Sequence, residues 1–161
     1  MMAVPGVLPR LLSLVYETFL VAALLMVAGF AFQPLRGVLP EGVARPAESL
    51  FLLLVLAAYF CWCWLRSGQT LAMKTWRIRL VAADGGAVGL RAALIRFALG
   101  LVLYLPLLAT LTWWFYQLQQ ALPYLLISGA LLLVCWCWAW FDADRQILQD
   151  RLAGTRLIKA S

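Results

Sequence analysis

Four apolar blocks, residues 11–32, 49–65, 97–116 and 123–141, constrain this chain more than any other feature, because they hold a single charged side chain between them. A helix of roughly 20 such residues crosses a hydrocarbon layer of about 30 Å. Barrel strands are excluded: they alternate polar and apolar residues over about ten positions, and these blocks are apolar on every face. With 12% of its residues charged and a mean hydropathy of +0.91, the chain carries too little polar surface for a soluble domain. The blocks predict an all-α integral membrane protein with four transmembrane helices in one domain, residues 1–161. The first block is expected to remain in the protein. Gly29-Phe30-Ala31 imitates a signal-cleavage site, but the apolar run before it is longer than a signal core and contains Glu17.

The basic residues orient the spans. One lies before the first block (Arg10), two lie in the first connection, six in residues 66–96, none in the third connection and four in residues 142–161. Four spans gather eleven of the thirteen on one side, which the positive-inside rule makes cytoplasmic, with both termini there. The expected location is a bacterial inner membrane. Anionic lipid headgroups, worth about 1 kcal/mol per cation, account for the net charge of +6 without nucleic acid. Tryptophans mark the span ends: Trp62 and Trp64, then Trp113 and Trp114, then Trp136, Trp138 and Trp140, where an indole prefers the interface.

The string Cys-Trp-Cys-Trp occurs at Cys61–Trp64 and again at Cys135–Trp138. Beyond each copy, the segment from Gln69 to Val81 aligns without a gap on the segment from Gln146 to Ile158. Gln69/Gln146, Leu71/Leu148, Arg79/Arg156 and Leu80/Leu157 are identical, and Lys74/Arg151 is conservative. Arg10 and Arg96 likewise precede the first and third blocks. This predicts a duplicated helical hairpin, a parallel pseudo-repeat with its axis along the membrane normal. Each copy ends in a small cytoplasmic skirt. Gly68 stops the second helix, a short helix follows from Gln69 to about Trp76, and Trp76–Val81 alternates like a strand. Asp84-Gly85-Gly86 supplies a turn. In the second copy Asp142 or Asp144 caps a helix ending at Gly154, Thr155–Lys159 forms the matching strand, and the two strands pair.

Glu17 is the acid inside the spans. An unpaired carboxylate at that depth is costly, so it is expected to face the protein interior and to take a proton or meet a cation. Arg10, two turns earlier, stands about 10 Å away along the axis. Arg96, entering the third helix from the same side, is the better partner. Cys61/Cys63 and Cys135/Cys137 are spaced i, i+2, which puts each pair on opposing helix faces, and histidine is absent. This argues against a metal site or catalytic thiols, and no nucleotide loop or hydrolase motif appears. No enzyme activity and no cofactor is expected.

Arg10 before the first span, an acid seven residues on, the GQTL…K…IRLV segment from Gly68 to Val81 and the closing QDRLAGTRLI from Gln149 to Ile158 resemble the RDD family of bacterial membrane proteins, named for one arginine and two aspartates. The resemblance implies that Arg10 is the arginine, Glu17 the first aspartate position and Asp150 the second. Glutamate at position 17 departs from the pattern by one methylene. The resemblance also implies transport, as some members look like cation/proton antiporters. The resulting expectation is exchange of a proton for a monovalent cation at Glu17, tuned by Arg10 and Arg96. The cytoplasmic motif of Gln69, Lys74, Asp150 and Arg151 would organise the skirt, Asp150 by pairing with a basic residue there, with Lys74, Arg77 and lipid headgroups all open as its contact. The expected partners are the lipid bilayer, a monovalent cation or proton, and further copies of the chain. The competing class is a non-transporting structural, assembly or accessory membrane protein, in which Glu17 only fixes helix register.

Overall fold

The computed structural model describes residues 5–116, 118–141 and 146–160, with residues 41, 107–116, 118–121, 136 and 139–141 described by backbone alone. The chain is mostly helical. Its elements are α1 (Val7–Arg36), α2 (Glu41–Ser67), α3 (Leu71–Thr75), β1 (Ile78–Ala82), α4 (Leu90–Tyr116), α5 (Leu118–Phe141), α6 (Leu148–Leu152) and β2 (Thr155–Lys159). Each apolar block lies inside one long helix. The helices run past the blocks because backbone hydrogen bonding does not depend on apolar side chains and continues into the flanking polar residues. α2 gains most, starting at Glu41 rather than at Ser49. It thereby takes in Glu48, whose carboxylate pairs with Arg36 at 3.2 Å, so Glu17 is not alone among the helical acids.

Among the described residues, Val7–Arg36 and Gly42–Ser67 are long and apolar enough to cross a membrane. On α1, Leu8, Leu11, Val15, Phe19, Met26 and Phe30 recur every three, four or seven residues and are between 42% and 71% exposed. One continuous greasy stripe of that length is costly in water and favourable in lipid.

The chain forms two compact units. One runs to Leu80 and regains the chain from Ile158; the other is Val81–Leu157. In the first, α1 packs on α2 as an antiparallel hairpin, with Phe32 against Phe51 at 5.3 Å near its turn. α3 packs back on α1. In the second, α4 packs on α5, and α6 packs on both.

The skirt is duplicated as the alignment predicts. α3 and α6, and β1 and β2, correspond at a constant offset of 77 residues: Leu71 to Leu148, Thr75 to Leu152, Ile78 to Thr155 and Ala82 to Lys159. The strands pair in one antiparallel two-stranded sheet. Ala160 N–H reaches Arg77 O at 2.7 Å, and Ala83 N–H reaches Gly154 O at 2.9 Å. Alternation holds from Ile78 to Leu80, with Ile78 and Leu80 buried and Arg79 exposed, and ends at Val81, which is buried as well. The strand starts two residues later than predicted, because Trp76 caps α3 and Arg77 turns left-handed at φ 50°. Gly154, its counterpart, does so at φ 63°.

Gly68 ends α2 in the left-handed region at φ 68°, where its carbonyl accepts Leu80 N–H at 2.7 Å. A Cβ there would collide with Leu80 O, so glycine is required by conformation and by space. The predicted turn is present. Gly85 has φ 88°, and Asp84 Oδ1 accepts Gly86 N–H at 2.9 Å. In the second copy Ile147, not Asp142 or Asp144, stands at the N-cap of α6, and those two aspartates lie outside the described residues.

The two Cys-Trp-Cys-Trp strings repeat a burial pattern, with Cys61 and Cys135 buried, Cys63 and Cys137 half-buried, and all four thiols free. Trp62 and Trp138 are exposed, whereas Trp64 is buried. It turns inward against Phe60 at 5.2 Å, because residues two apart on a helix, such as Trp62 and Trp64, point to opposite faces. The side chains of Trp113, Trp114, Trp136 and Trp140 lie outside the described residues.

Candidate functional site: a carboxylate between two hydroxyls

Each unit fastens its skirt helix to its first long helix through an acidic side chain, by different chemistry. In the first unit Glu17, half-buried on α1, receives two hydrogen bonds. Tyr59 on α2 donates its phenolic hydroxyl to Oε1 at 2.8 Å, and Thr70 donates its hydroxyl to Oε2. Thr70 is also the N-cap of α3. Its Oγ accepts Met73 N–H at 3.3 Å, satisfying one of the amides that a helix start leaves without a partner. The apolar sequence of α1 and α2 brings Tyr59 to the carboxylate, and Gly68 turns the chain so that Thr70 can return to it.

Gln69 braces this arrangement by donating its amide to Ile78 O at 2.8 Å. Ser67 closes the bend, its hydroxyl lying 3.1 Å from Cys63 O and 3.0 Å from Gln69 O. Arg10 is buried on α1, two turns before Glu17. Lys74 is exposed on α3.

In the second unit the long helix carries the cation. Arg96 on α4 forms an ion pair with Asp150 on α6, and Asp150 is completely buried. Arg96 Nη1 also reaches Thr155 Oγ1 at 3.2 Å, and Gln149 donates its amide to Arg96 O at 3.0 Å. Gln146 bridges to β2, accepting Leu157 N–H at 2.9 Å. Arg151 is exposed, as is its counterpart Lys74.

One sequence expectation is thereby corrected: Arg96 is engaged with Asp150 rather than serving as the counter-charge of Glu17. Asp150, whose contact the sequence leaves open, takes Arg96 as its basic partner. The cause is α6, which folds back on α4 and delivers its acid to the one arginine that helix buries. Among the described residues the ion pairs are Arg36–Glu48 and Arg96–Asp150, and neither includes Glu17. What Glu17 receives is a pair of hydroxyls.

Tyr59 and Thr70 were not singled out by the sequence. Thr70 had a usable signal, since a threonine directly before a predicted short helix is a standard N-cap. Tyr59 had none, being one aromatic among many in an apolar run.

Three oxygen-bearing groups thus meet at one point of the first unit. A hydroxyl can donate to a carboxylate or turn its lone pairs toward a bound proton or cation, and carboxylate and hydroxyl oxygens are hard donors suited to hard cations. Among the described residues no cluster of three or more cysteine and acidic side chains forms a metal site.

Comparison with known proteins agrees with the resemblance seen in the sequence. The model of the RDD family matches residues 4–154, which include Arg10, Glu17, Arg96 and Asp150. No curated protein and no solved structure matches the chain. With nearly its whole length matched and two helices of membrane-crossing length and composition, the chain belongs to the RDD family and is a membrane protein.

Proposed function

We propose that this protein exchanges protons for a monovalent cation, with Glu17 as the carrier group. The observation that supports this is the pairing of a half-buried carboxylate with two hydroxyls, one from α2 and one from α3. With Glu17 ionised, Tyr59 and Thr70 donate to it. When a cation arrives, the two hydroxyls turn and offer oxygen lone pairs alongside the carboxylate. When a proton arrives, the carboxyl group becomes the donor and one hydroxyl accepts. The same three groups serve both occupants, so one must leave before the other binds, which is the requirement for exchange. Arg10, buried two turns away, sets the local potential.

The proposal includes the wider architecture. The chain crosses a bacterial inner membrane four times as two tandem hairpins, with both termini and residues 66–96 and 142–161 on the cytoplasmic side, and it acts without enzymatic chemistry. The charge distribution supports this orientation. A cysteine introduced near Gly42 is then reached by an impermeant thiol reagent from outside intact cells, whereas one near Gly85 is not. Four short spans enclose little volume, so the working form is an assembly of several copies.

Proton flux tests the function. In sealed vesicles containing the full chain, adding sodium, potassium or lithium outside should drive protons outward, and Glu17→Gln should abolish the response. The absence of cation-driven flux, or its survival in Glu17→Gln, overturns the proposal.

A non-transporting role has its own support in the second unit. Asp150 is wholly buried against Arg96, as a device for fixing helix register would be. That pair is assigned a structural role here, and Glu17 alone the exchange.

A further inference from the structure

A cleft of about 570 Å³ opens in the first unit, between α1, the C-terminal end of α2 and α3. Its apolar wall is Leu20, Leu24, Trp62 and Leu71, and its cationic end is Arg66 and Lys74. Trp62 is 64% exposed and Leu71 55% exposed, so much of that wall faces away from the chain. Arg66 stacks on Trp62, its guanidinium carbon 5.4 Å from the ring centroid, which extends the charge along the apolar wall. Neither Arg66 nor Lys74 belongs to the ion pairs of the described residues.

We infer that this cleft binds one anionic phospholipid, its phosphate between Arg66 and Lys74 and the upper part of an acyl chain along Leu20, Leu24 and Trp62. The combination selects the ligand class. A free phosphate has no use for a wall of leucine and indole, and a zwitterionic lipid brings a positive group toward two cations. A negatively charged headgroup on an acyl chain satisfies both ends. Basic pockets beside membrane helices at the inner leaflet recognise such lipids by this chemistry, and the cleft volume falls within the range of small-molecule sites. The inference rests on α1 and α2 lying in the membrane and is independent of ion exchange. Tyr59, which lines the cleft as well as holding Glu17, puts the lipid next to the carboxylate.

Binding to the purified full chain in non-ionic detergent, read by native mass spectrometry without any ion gradient, tests this separately from flux. The probes are dioleoyl phosphatidylglycerol, dioleoyl phosphatidylcholine and inorganic phosphate. Phosphatidylglycerol should bind roughly 30-fold more tightly than phosphatidylcholine, the effect of two interfacial cations. The double variant Arg66→Gln/Lys74→Gln should erase that preference. Both side chains are exposed, so it removes no buried contact. Arg91→Gln, an exposed cation on α4, should keep the preference. Leu71→Asn should weaken phosphatidylglycerol binding through the apolar wall. Equal binding of the two lipids, or an undiminished preference in the double variant, overturns the inference. Inorganic phosphate displacing phosphatidylglycerol at comparable concentration would make the cleft a site for a soluble anion and overturn the lipid assignment.

Discussion

The hydroxyl of Thr70 donates to the Glu17 carboxylate while accepting Met73 N–H at 3.3 Å, so the N-cap of α3 is also a ligand of the acid on α1. Whatever occupies Glu17 is therefore felt at the start of the skirt helix, and α3 is ordered by the group proposed to carry the ion.

Thr70→Val removes both bonds while keeping the shape. The lost cap alone should cost about 1 kcal/mol, and amide exchange at Met73 and Lys74 should accelerate. Thr70→Ser should retain most of the protection. Equal exchange in Thr70→Val and the parent would contradict the capping role.

Asp150→Asn leaves Arg96 buried opposite a neutral amide. Breaking a buried pair from one side costs roughly 3–5 kcal/mol, so the variant should melt well below the parent in detergent. Replacing both partners with apolar residues, Arg96→Met with Asp150→Leu, should recover much of the loss. A double variant as unstable as the sum of the two single changes would argue against direct pairing.

The matched left-handed positions make a controlled comparison. Arg77 has φ 50°, is exposed, and stands where the second copy has Gly154 at φ 63°. The left-handed conformation costs a side-chain-bearing residue roughly 1–2 kcal/mol, partly offset by the larger unfolded freedom of glycine. Arg77→Gly should therefore stabilise slightly. Gly154→Ala should destabilise by about 1 kcal/mol, since nothing lies within 4 Å of the added carbon and only the backbone penalty remains. A silent Gly154→Ala would show that the turn relaxes.

Gly68→Ala is a harsher change. The added methyl meets Leu80 O as well as an unfavourable φ, so the bend that carries Thr70 to Glu17 should shift. Weaker melting together with faster exchange at Met73 is the expected result, and a melting temperature equal to the parent's would contradict the close approach.

The fold was legible where a property belongs to a single segment. Apolar length gave the long helices, alternation of Ile78, Arg79 and Leu80 gave a strand, Asp84-Gly85-Gly86 gave a turn, and the duplicated strings gave the repeat. Glu17 stands out because an acid inside an apolar span is costly, whereas Asp150 is marked only by the resemblance of its segment to the RDD family. Their partners were not legible, since each depends on a short helix folding back on a long one. The place of Arg96 at a span end points it toward Glu17, but α6 brings Asp150 to it. Tyr59 leaves no trace because a hydroxyl costs little in an apolar run, whereas Thr70 is marked as an N-cap but not as a ligand of Glu17. Trp64 shares a string with exposed Trp62, yet its face of α2 points inward.

Infrared difference spectroscopy on the full chain in lipid vesicles reads the Glu17 carboxyl group itself. At fixed pH, adding the transported cation should remove a protonated-carboxyl band and create a carboxylate band, a change that shifts in Glu17→Asp and is missing from Glu17→Gln. A spectrum indifferent to sodium, potassium and lithium, or one in which the carboxyl change persists in Glu17→Gln, would contradict the assignment of Glu17 as the shared proton and cation site.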